Sequence, residues 1–222
     1  MLRTLAVVLA LGCAAAAQAP VPVSGEHHHH FKFENEYVRV YDVEVAAHDD
    51  TLFHTHSNDY VYVNLYDVDL KAQVLDGPIV ALPVKAGQCV FSKAPLTHRV
   101  LNESDKLFRN ITVEILKTPG TSSSDAPSLA NVPGFSKVLE NDRVRIDRLV
   151  LEPGQSTGMY KDNLMNLAIA VTDCNAVFEG ADQKDHPVQL KAGNYEWRPT
   201  PGAHLIKNVG DRRLEIIEIE WK

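Results

Sequence analysis

Cysteine is scarce in this 222-residue chain: Cys13 lies in the N-terminal apolar stretch, and only Cys89 and Cys174 stand beyond it. Two cysteines cannot build a disulfide framework. An oxidising compartment would permit them to pair, but each falls in a strand-like region of a different half and reads as a small buried hydrophobe. Neither has the surroundings of a nucleophile. Basic residues are also short, 22 Lys and Arg against 29 Asp and Glu for a net charge of -7. With no basic stripe in either half, a nucleic-acid partner is excluded, because phosphate binding needs clustered cations. No apolar run is long enough to span a bilayer. Absent too are a Gly-x-Ser-x-Gly elbow, a glycine-rich phosphate loop ending in lysine and a four-cysteine zinc pattern. No stretch sustains helical periodicity.

The N-terminus reads as an export signal over residues 1–17. Arg3 supplies the positive start, Leu5 to Leu11 the apolar run, and Ala14 to Ala17 small residues for cleavage after Ala17. Leu9-Ala10-Leu11-Gly12-Cys13 loosely resembles a lipobox, which would anchor the chain through Cys13, although Ala10-Leu11 is in the wrong order for one. Either route predicts a periplasmic or secreted protein. His27 to His30 follow, read as an exposed approach to the first strand, with loose surface metal affinity as the alternative.

From Phe31 the pattern is that of β structure. Tyr37 to Val45 alternates apolar and polar residues, Val61, Val63 and Leu65 repeat the alternation, and Gly77-Pro78 and Ala86-Gly87 punctuate further short runs. Ile111 to Ile115 closes the set. Many short strands spaced by turn residues imply a barrel or sandwich. Residues 118–134, with Thr121-Ser122-Ser123-Ser124 and three prolines, read as a linker. The first half then recurs at a constant offset of 106. Glu34-Asn35-Glu36-Tyr37-Val38-Arg39-Val40 becomes Glu140-Asn141-Asp142-Arg143-Val144-Arg145-Ile146. Gly87, Phe91, Pro95, His98 and Asn102 become Gly193, Trp197, Pro201, His204 and Asn208. The chain is thus a duplicated β domain, with units at 31–117 and 135–222.

Chemistry concentrates in the first unit. His54 and His56 stand at i and i+2, so on a strand both project from one face. His98 lies forty-two positions beyond His56. If another strand carries it to the same interior, three imidazoles converge and leave coordination positions open, as a catalytic or sensing metal needs. The second unit offers Tyr160 and Asp162 at the positions of the pair, with His204 alone retained, so no metal is expected there. That unit is expected to supply packing surface, a lid or a dimer contact. His48, His186 and His204 read as hydrogen-bonded core histidines, Asn102 as a residue shaping the loop after its strand. Asp49-Asp50, Glu218 and Glu220 read as solvated charges.

These residues resemble the cupin family. Its first motif runs Gly-(x)5-His-x-His-(x)3,4-Glu-(x)6-Gly and its second Gly-(x)5-Pro-x-Gly-(x)2-His-(x)3-Asn. His54 and His56 match the histidine pair, and Gly87, His98 and Asn102 match the second motif at its spacing. Tyr60 stands where the glutamate is expected, and Lys93 and Pro95 replace the second motif's proline and glycine. The resemblance implies an all-β chain of two tandem cupin-type (jelly-roll) barrels, a bicupin. It implies a divalent metal on His54, His56 and His98, Fe(II) foremost, with Mn, Ni, Cu or Zn as other occupants. Without the glutamate the ion keeps its full charge and polarises a bound oxygen more strongly. Tyr60 would act as a fourth ligand or as a donor orienting the bound group, and Tyr62 on the same face would line a pocket or fill core. Asp59 faces away on a regular strand, and only a bulge would bring it round. The expected activity is dioxygenase-like or isomerase-like on a small organic molecule. The alternatives are a noncatalytic ligand-binding module and a structural, oligomerising protein, with a homodimer conceivable for any of the three.

Overall fold

The computed structural model describes residues 19–119, 126–180 and 184–222. The export signal, Cys13 and the serine run of the linker lie outside the described residues. Eleven strands make the first unit: β1 (Val21–Pro22), β2 (His29–Glu34), β3 (Val38–Val45), β4 (Asp49–Asp50), β5 (His54–His56), β6 (Tyr60–Asn64), β7 (Val68–Val74), β8 (Ile79–Val84), β9 (Cys89–Ser92), β10 (Leu96–Asn102) and β11 (Phe108–Ile115). They form two facing sheets, β1-β5-β10-β7-β8 with β4 on β10, and β2-β3-β11-β6-β9. The second unit follows as β12 (Phe135–Glu140), β13 (Val144–Leu151), β14 (Tyr160–Lys161), β15 (Asn166–Ala170), β16 (Cys174–Glu179), β17 (Asp185–Leu190), β18 (Tyr195–Arg198), β19 (Ala203–Asn208) and β20 (Leu214–Trp221). Its sheets, β12-β13-β20-β15-β18 and β14-β19-β16-β17, repeat the order of the first. Strands β2, β3, β6 and β11 begin and end 106 residues before β12, β13, β15 and β20. Among the described residues no helix is long and apolar enough to cross a membrane.

The first barrel starts earlier than the alternation suggested. Val21 and Pro22 pair in parallel with His54 and Thr55, and Val23 is buried among the barrel's own core residues. The barrel therefore begins at Val21 rather than Phe31, because β1 extends the sheet that carries the histidine pair. His28 and His29 are buried as a result, which corrects their reading as an exposed approach.

The alternating strands are covered on both faces. Val38, Val40, Val61, Val63, Leu65, Ile111, Val113 and Ile115 pack against Val144, Ile146, Leu167, Ile169, Val171, Ile217, Ile219 and Trp221 in a seam between the barrels. The apolar register of each central strand thus faces the other barrel. The opposite register, Tyr60, Tyr62, Asn64, Asn110 and Thr112, turns inward. At ~1.5–3 kcal/mol for each fully buried aliphatic side chain, the sixteen seam residues hold the two barrels as one body. Cys89 packs at the edge of this seam, Cys174 lies in the second barrel's core, and both are free thiols.

Polar groups fix the seam's ends. Arg109 bonds Asp42 at 2.8 and 2.9 Å and reaches the Ala192 carbonyl across the seam. At the repeat positions the signs are exchanged: Arg148 stands 3.3 Å from Glu215 and donates to the Gly87 carbonyl. Gly87 and Gly193 occupy the turns so contacted, with φ of +73° and +88°. Asn102 behaves as expected of a loop-shaping residue. Its Nδ2 donates to the carbonyls of Val45, Ala46 and Lys106, and Asn208 does the same for Leu151 and Arg212.

Candidate metal centre

Register brings the sequence-predicted histidines together. In the antiparallel pair of β5 and β10, His98 lies opposite His54 and Leu96 opposite His56. Period two sends both members of the pair inward, while Thr55 and Thr97 on the other face hydrogen-bond each other at 2.9 Å. The ring centroids of His54 and His98 are 4.5 Å apart, those of His56 and His98 5.4 Å, and those of His54 and His56 5.1 Å. His54 and His56 are each only 1% exposed.

A fourth imidazole, not anticipated from the sequence, comes from the facing sheet. His29 at the start of β2 is 4.5 Å from His54 and 5.8 Å from His56 between ring centroids. His29, His54 and His56 each offer one nitrogen within 4.8 Å of the others. Within a run of four histidines, nothing local distinguishes the one that turns inward. Glu26, three residues earlier, is the only sequence mark, and its Oε2 accepts from His29 Nδ1 at 2.7 Å. Burial pushes the Glu26 carboxyl up, but hydrogen bonds from His29 and His28 outweigh it and hold the group well below the usual carboxylate range.

His54, His56 and His98 are neutral and have nitrogens to spare. Burial, and then the neighbouring rings, hold His54 down to about 3, His56 to about 2 and His98 to about 4. His54 Nδ1 is bonded to the Leu52 carbonyl at 2.9 Å, so its proton sits there and Nε2 carries a lone pair. That Nε2, His56 Nδ1 and His98 Nε2 are all buried without a partner. A buried acceptor left unpaired costs ~1–3 kcal/mol, and three on one wall fit a cation that takes lone pairs. An all-imidazole donor set suits Fe, Ni, Cu or Zn better than Mg or Ca.

Above the imidazoles lies a cavity of about 200 Å³, reached by Tyr60, Tyr62, Ser92, Asn110 and Thr112, with apolar walls that include Val43, Leu82, Val84 and Phe108. Among the described residues no lysine or arginine lines it. Tyr60 stacks on His56 at 3.9 Å and 16°. Burial pushes its phenol up to about 12, against the pull of a hydrogen bond with Ser92, so it is a hydrogen-bond donor at neutral pH. Asp59 takes no part: it pairs with Arg143 at 3.1 Å and accepts from the Ala94 amide.

The second barrel fills the equivalent space differently. Tyr160, Asp162, Asn166 and His204 stand at the positions of His54, His56, Tyr60 and His98, and Arg198 at that of Ser92. His204 Nε2 meets Asp162 at 2.6 Å, Asn166 donates to the same carboxylate, and Arg198 lies 3.2 Å from Glu218 and 3.8 Å from Asp162. A guanidinium thus sits among these carboxylates where the first barrel turns imidazoles inward. Glu218 and Glu220, expected to be solvated, are fully buried. They lie on β20, whose outer face is already taken by the seam. Burial raises the Glu218 carboxyl to about 7 against the pull of Arg198. His204 is a hydrogen-bonded core histidine as expected, but His48 and His186 are exposed on a turn and on an edge strand. His48 has a φ of +60° and bonds Asp105.

No protein-family model matches the sequence, and a search of curated proteins finds no match. Solved structures do match. Protein YlbA from E. coli is 10% identical, with 92% of this chain and 87% of that one covered and a TM-score of 0.64. An oxalate decarboxylase from Bacillus subtilis is 12% identical over 87% of this chain and 74% of its own, with a TM-score of 0.58. A cupin 2 conserved barrel domain protein from Leptotrichia buccalis is 11% identical over 86% and 87%, with a TM-score of 0.54. The fold is that of the cupins, as two tandem jelly-roll barrels in one chain.

Proposed function

We propose that this protein is an exported bicupin metalloenzyme in which His54, His56 and His98 hold a divalent metal and the cavity above them receives a small organic substrate. The observation that carries it is the set of three buried, neutral imidazoles, each with an unpartnered nitrogen. When bound, the metal supplies Lewis-acid polarisation or electron exchange at a substrate oxygen. Fe(II) is the foremost occupant, with Mn, Ni, Cu or Zn as the others, because imidazole serves all of them. The chain's own residues do the remaining work. Tyr60 donates a hydrogen bond that orients the bound group, and Ser92, Asn110 and Thr112 offer further polar contacts. The apolar walls exclude water. Among the described residues no lysine or arginine lines the cavity, so an anionic substrate would find its compensating charge in the metal itself. Export rests on the N-terminal pattern of Arg3, the apolar run and the alanines.

Metal analysis of the protein loaded in turn with Fe, Mn, Ni, Cu and Zn tests the site. One equivalent is expected in the wild type and none in a His54→Ala, His98→Ala variant. Trace metal in the wild type under every loading refutes the proposal. Oxygen uptake and product analysis across small organic acids, thiols and phenols then test for catalysis. Ligand-dependent thermal stabilisation without turnover would mark a binder rather than an enzyme. Mass spectrometry of the periplasmic and secreted fractions locates the mature N-terminus, expected after Ala17.

A further inference from the structure

We infer that the buried Glu26 is a positioning residue of the metal centre: its carboxylate fixes His29 as a fourth imidazole ligand and orients His54 through the Leu52 peptide. This rests on the proposal that the first barrel binds a metal, and it adds to it a ligand and a carboxylate that lie outside both cupin motifs.

The Glu26 side chain is fully buried. Its Oε2 accepts from His29 Nδ1 at 2.7 Å and from the His28 amide at 3.0 Å. Its Oε1 contacts His28 Nδ1 at 2.9 Å and accepts from the Leu52 amide at 3.3 Å. The carbonyl of the same residue, Leu52, accepts from His54 Nδ1 at 2.9 Å. One carboxylate therefore reaches two of the four imidazoles, one directly and one across a single residue. The chemical consequence is the same for both rings. With Nδ1 committed as a donor, the lone pair is confined to Nε2, as ligation requires, and a carboxylate behind an imidazole makes it a more basic ligand. Geometry adds a second reason. His29 stands on β2, in the sheet facing the one that carries His54, His56 and His98, so the Glu26 hub ties the two sheets together at the centre. The hub is braced from outside by His28, whose Nε2 meets Asp49 at 3.0 Å.

The second barrel is an internal control. The offset of 106 places Val132 at the position of Glu26 and Phe135 at that of His29. There Phe135 packs on Tyr160 with ring centroids 5.3 Å apart, the counterpart of the contact between His29 and His54. Where this fold needs only a filled core at that position, it uses two aromatic rings and no carboxylate. The imidazole, its buried acid and the histidine pair occur together in one barrel and are replaced together in the other.

The test uses the full chain loaded with Co(II) or Cu(II), comparing wild type, His29→Phe, Glu26→Gln and His98→Ala. Nitrogen hyperfine structure in the Cu(II) spectrum should report four imidazoles in the wild type and three in His29→Phe. Glu26→Gln keeps an acceptor for His29 but loses the charge. It should shift the Co(II) absorption bands and weaken metal affinity roughly 10–100-fold. A wild-type spectrum and affinity in His29→Phe overturn the assignment of His29. A Glu26→Gln protein whose metal-free form unfolds earlier, yet binds Co(II) with wild-type spectrum and affinity, shows a merely structural acid and overturns its positioning role. His98→Ala separates the two levels: if it binds metal as the wild type does, or if the wild type binds none, it is the underlying metal centre that fails. Should Glu26→Gln not fold, His29→Phe, which carries the residue the second barrel uses, decides alone.

Discussion

Replacing Gly87 by alanine tests how the two barrels are joined. Gly87 has φ +73°, and a Cβ added there would lie 2.2 Å from Glu215 Oε1 and 3.2 Å from an Arg148 guanidinium nitrogen. The left-handed backbone alone costs an alanine ~1–2 kcal/mol. The carboxylate must also move, and it stands 3.3 Å from Arg148 with its side chain only 10% exposed. Losing a charged contact so well covered adds roughly 1–2 kcal/mol, for a total of about 2–4 kcal/mol. Gly154 separates the two contributions, since it shares a positive φ of +82° but has nothing within 4 Å of an added Cβ. Its alanine variant should lose only the backbone part. Gly193 should fall between, because its Cβ would meet Arg109 at 3.0 Å and Leu65 at 3.1 Å. Urea unfolding of the metal-free proteins, read by linear extrapolation with slopes compared, measures all three. If Gly87→Ala and Gly154→Ala cost the same within ~0.5 kcal/mol, near the limit at which such differences are read, the seam contact contributes nothing and the reasoning is wrong.

Acid should destabilise the metal-free protein through its buried imidazoles. His54, His56 and His98 are held down to about 3, 2 and 4, whereas in the unfolded chain they titrate near ~6.5. Between those values only the unfolded state gains protons, so this contribution to stability is complete above ~6.5 and is lost progressively as the pH falls through the folded-state values. Each imidazole contributes at most about 1.4 kcal/mol per pH unit, and His98→Leu should flatten the slope of unfolding free energy against pH. Arg198→Met should cost about 3–5 kcal/mol by stranding buried charge on Glu218 and Asp162. Metal content should stay at the wild-type level, and a loss of metal would contradict the separation of the two barrels. Tyr60→Phe retains the ring stacked at 3.9 Å on His56 and should leave metal stoichiometry unchanged. If metal falls away in that variant by elemental analysis, Tyr60 is a ligand rather than an orienting donor.

Much of the architecture is legible in the residues alone, because two of its causes are local or periodic. Strand alternation announces the β class, and the constant offset announces the duplication, since equal spacing places equal residues at equal points of the fold. The i, i+2 spacing of His54 and His56 already fixes their common face. Other features depend on contacts between segments distant in the chain. Alternation says that Val61, Val63 and Leu65 share a face, but not whether that face looks into its own barrel or out at another. Docking of the second barrel reverses the usual answer and leaves Tyr60 and Tyr62 to line the cavity. In the same way Glu218 and Glu220 look solvated until the seam covers their strand.

The sequence by itself determined that this is a twofold β protein with a histidine pair in only one half, and it named His54, His56 and His98. Only the tertiary structure decided that His29 belongs with them. Its place depends on β1 joining the edge of one sheet while β2 opens the other, and on a buried carboxylate catching the ring. Those are long-range events, and a run of four identical residues carries no trace of which one they select.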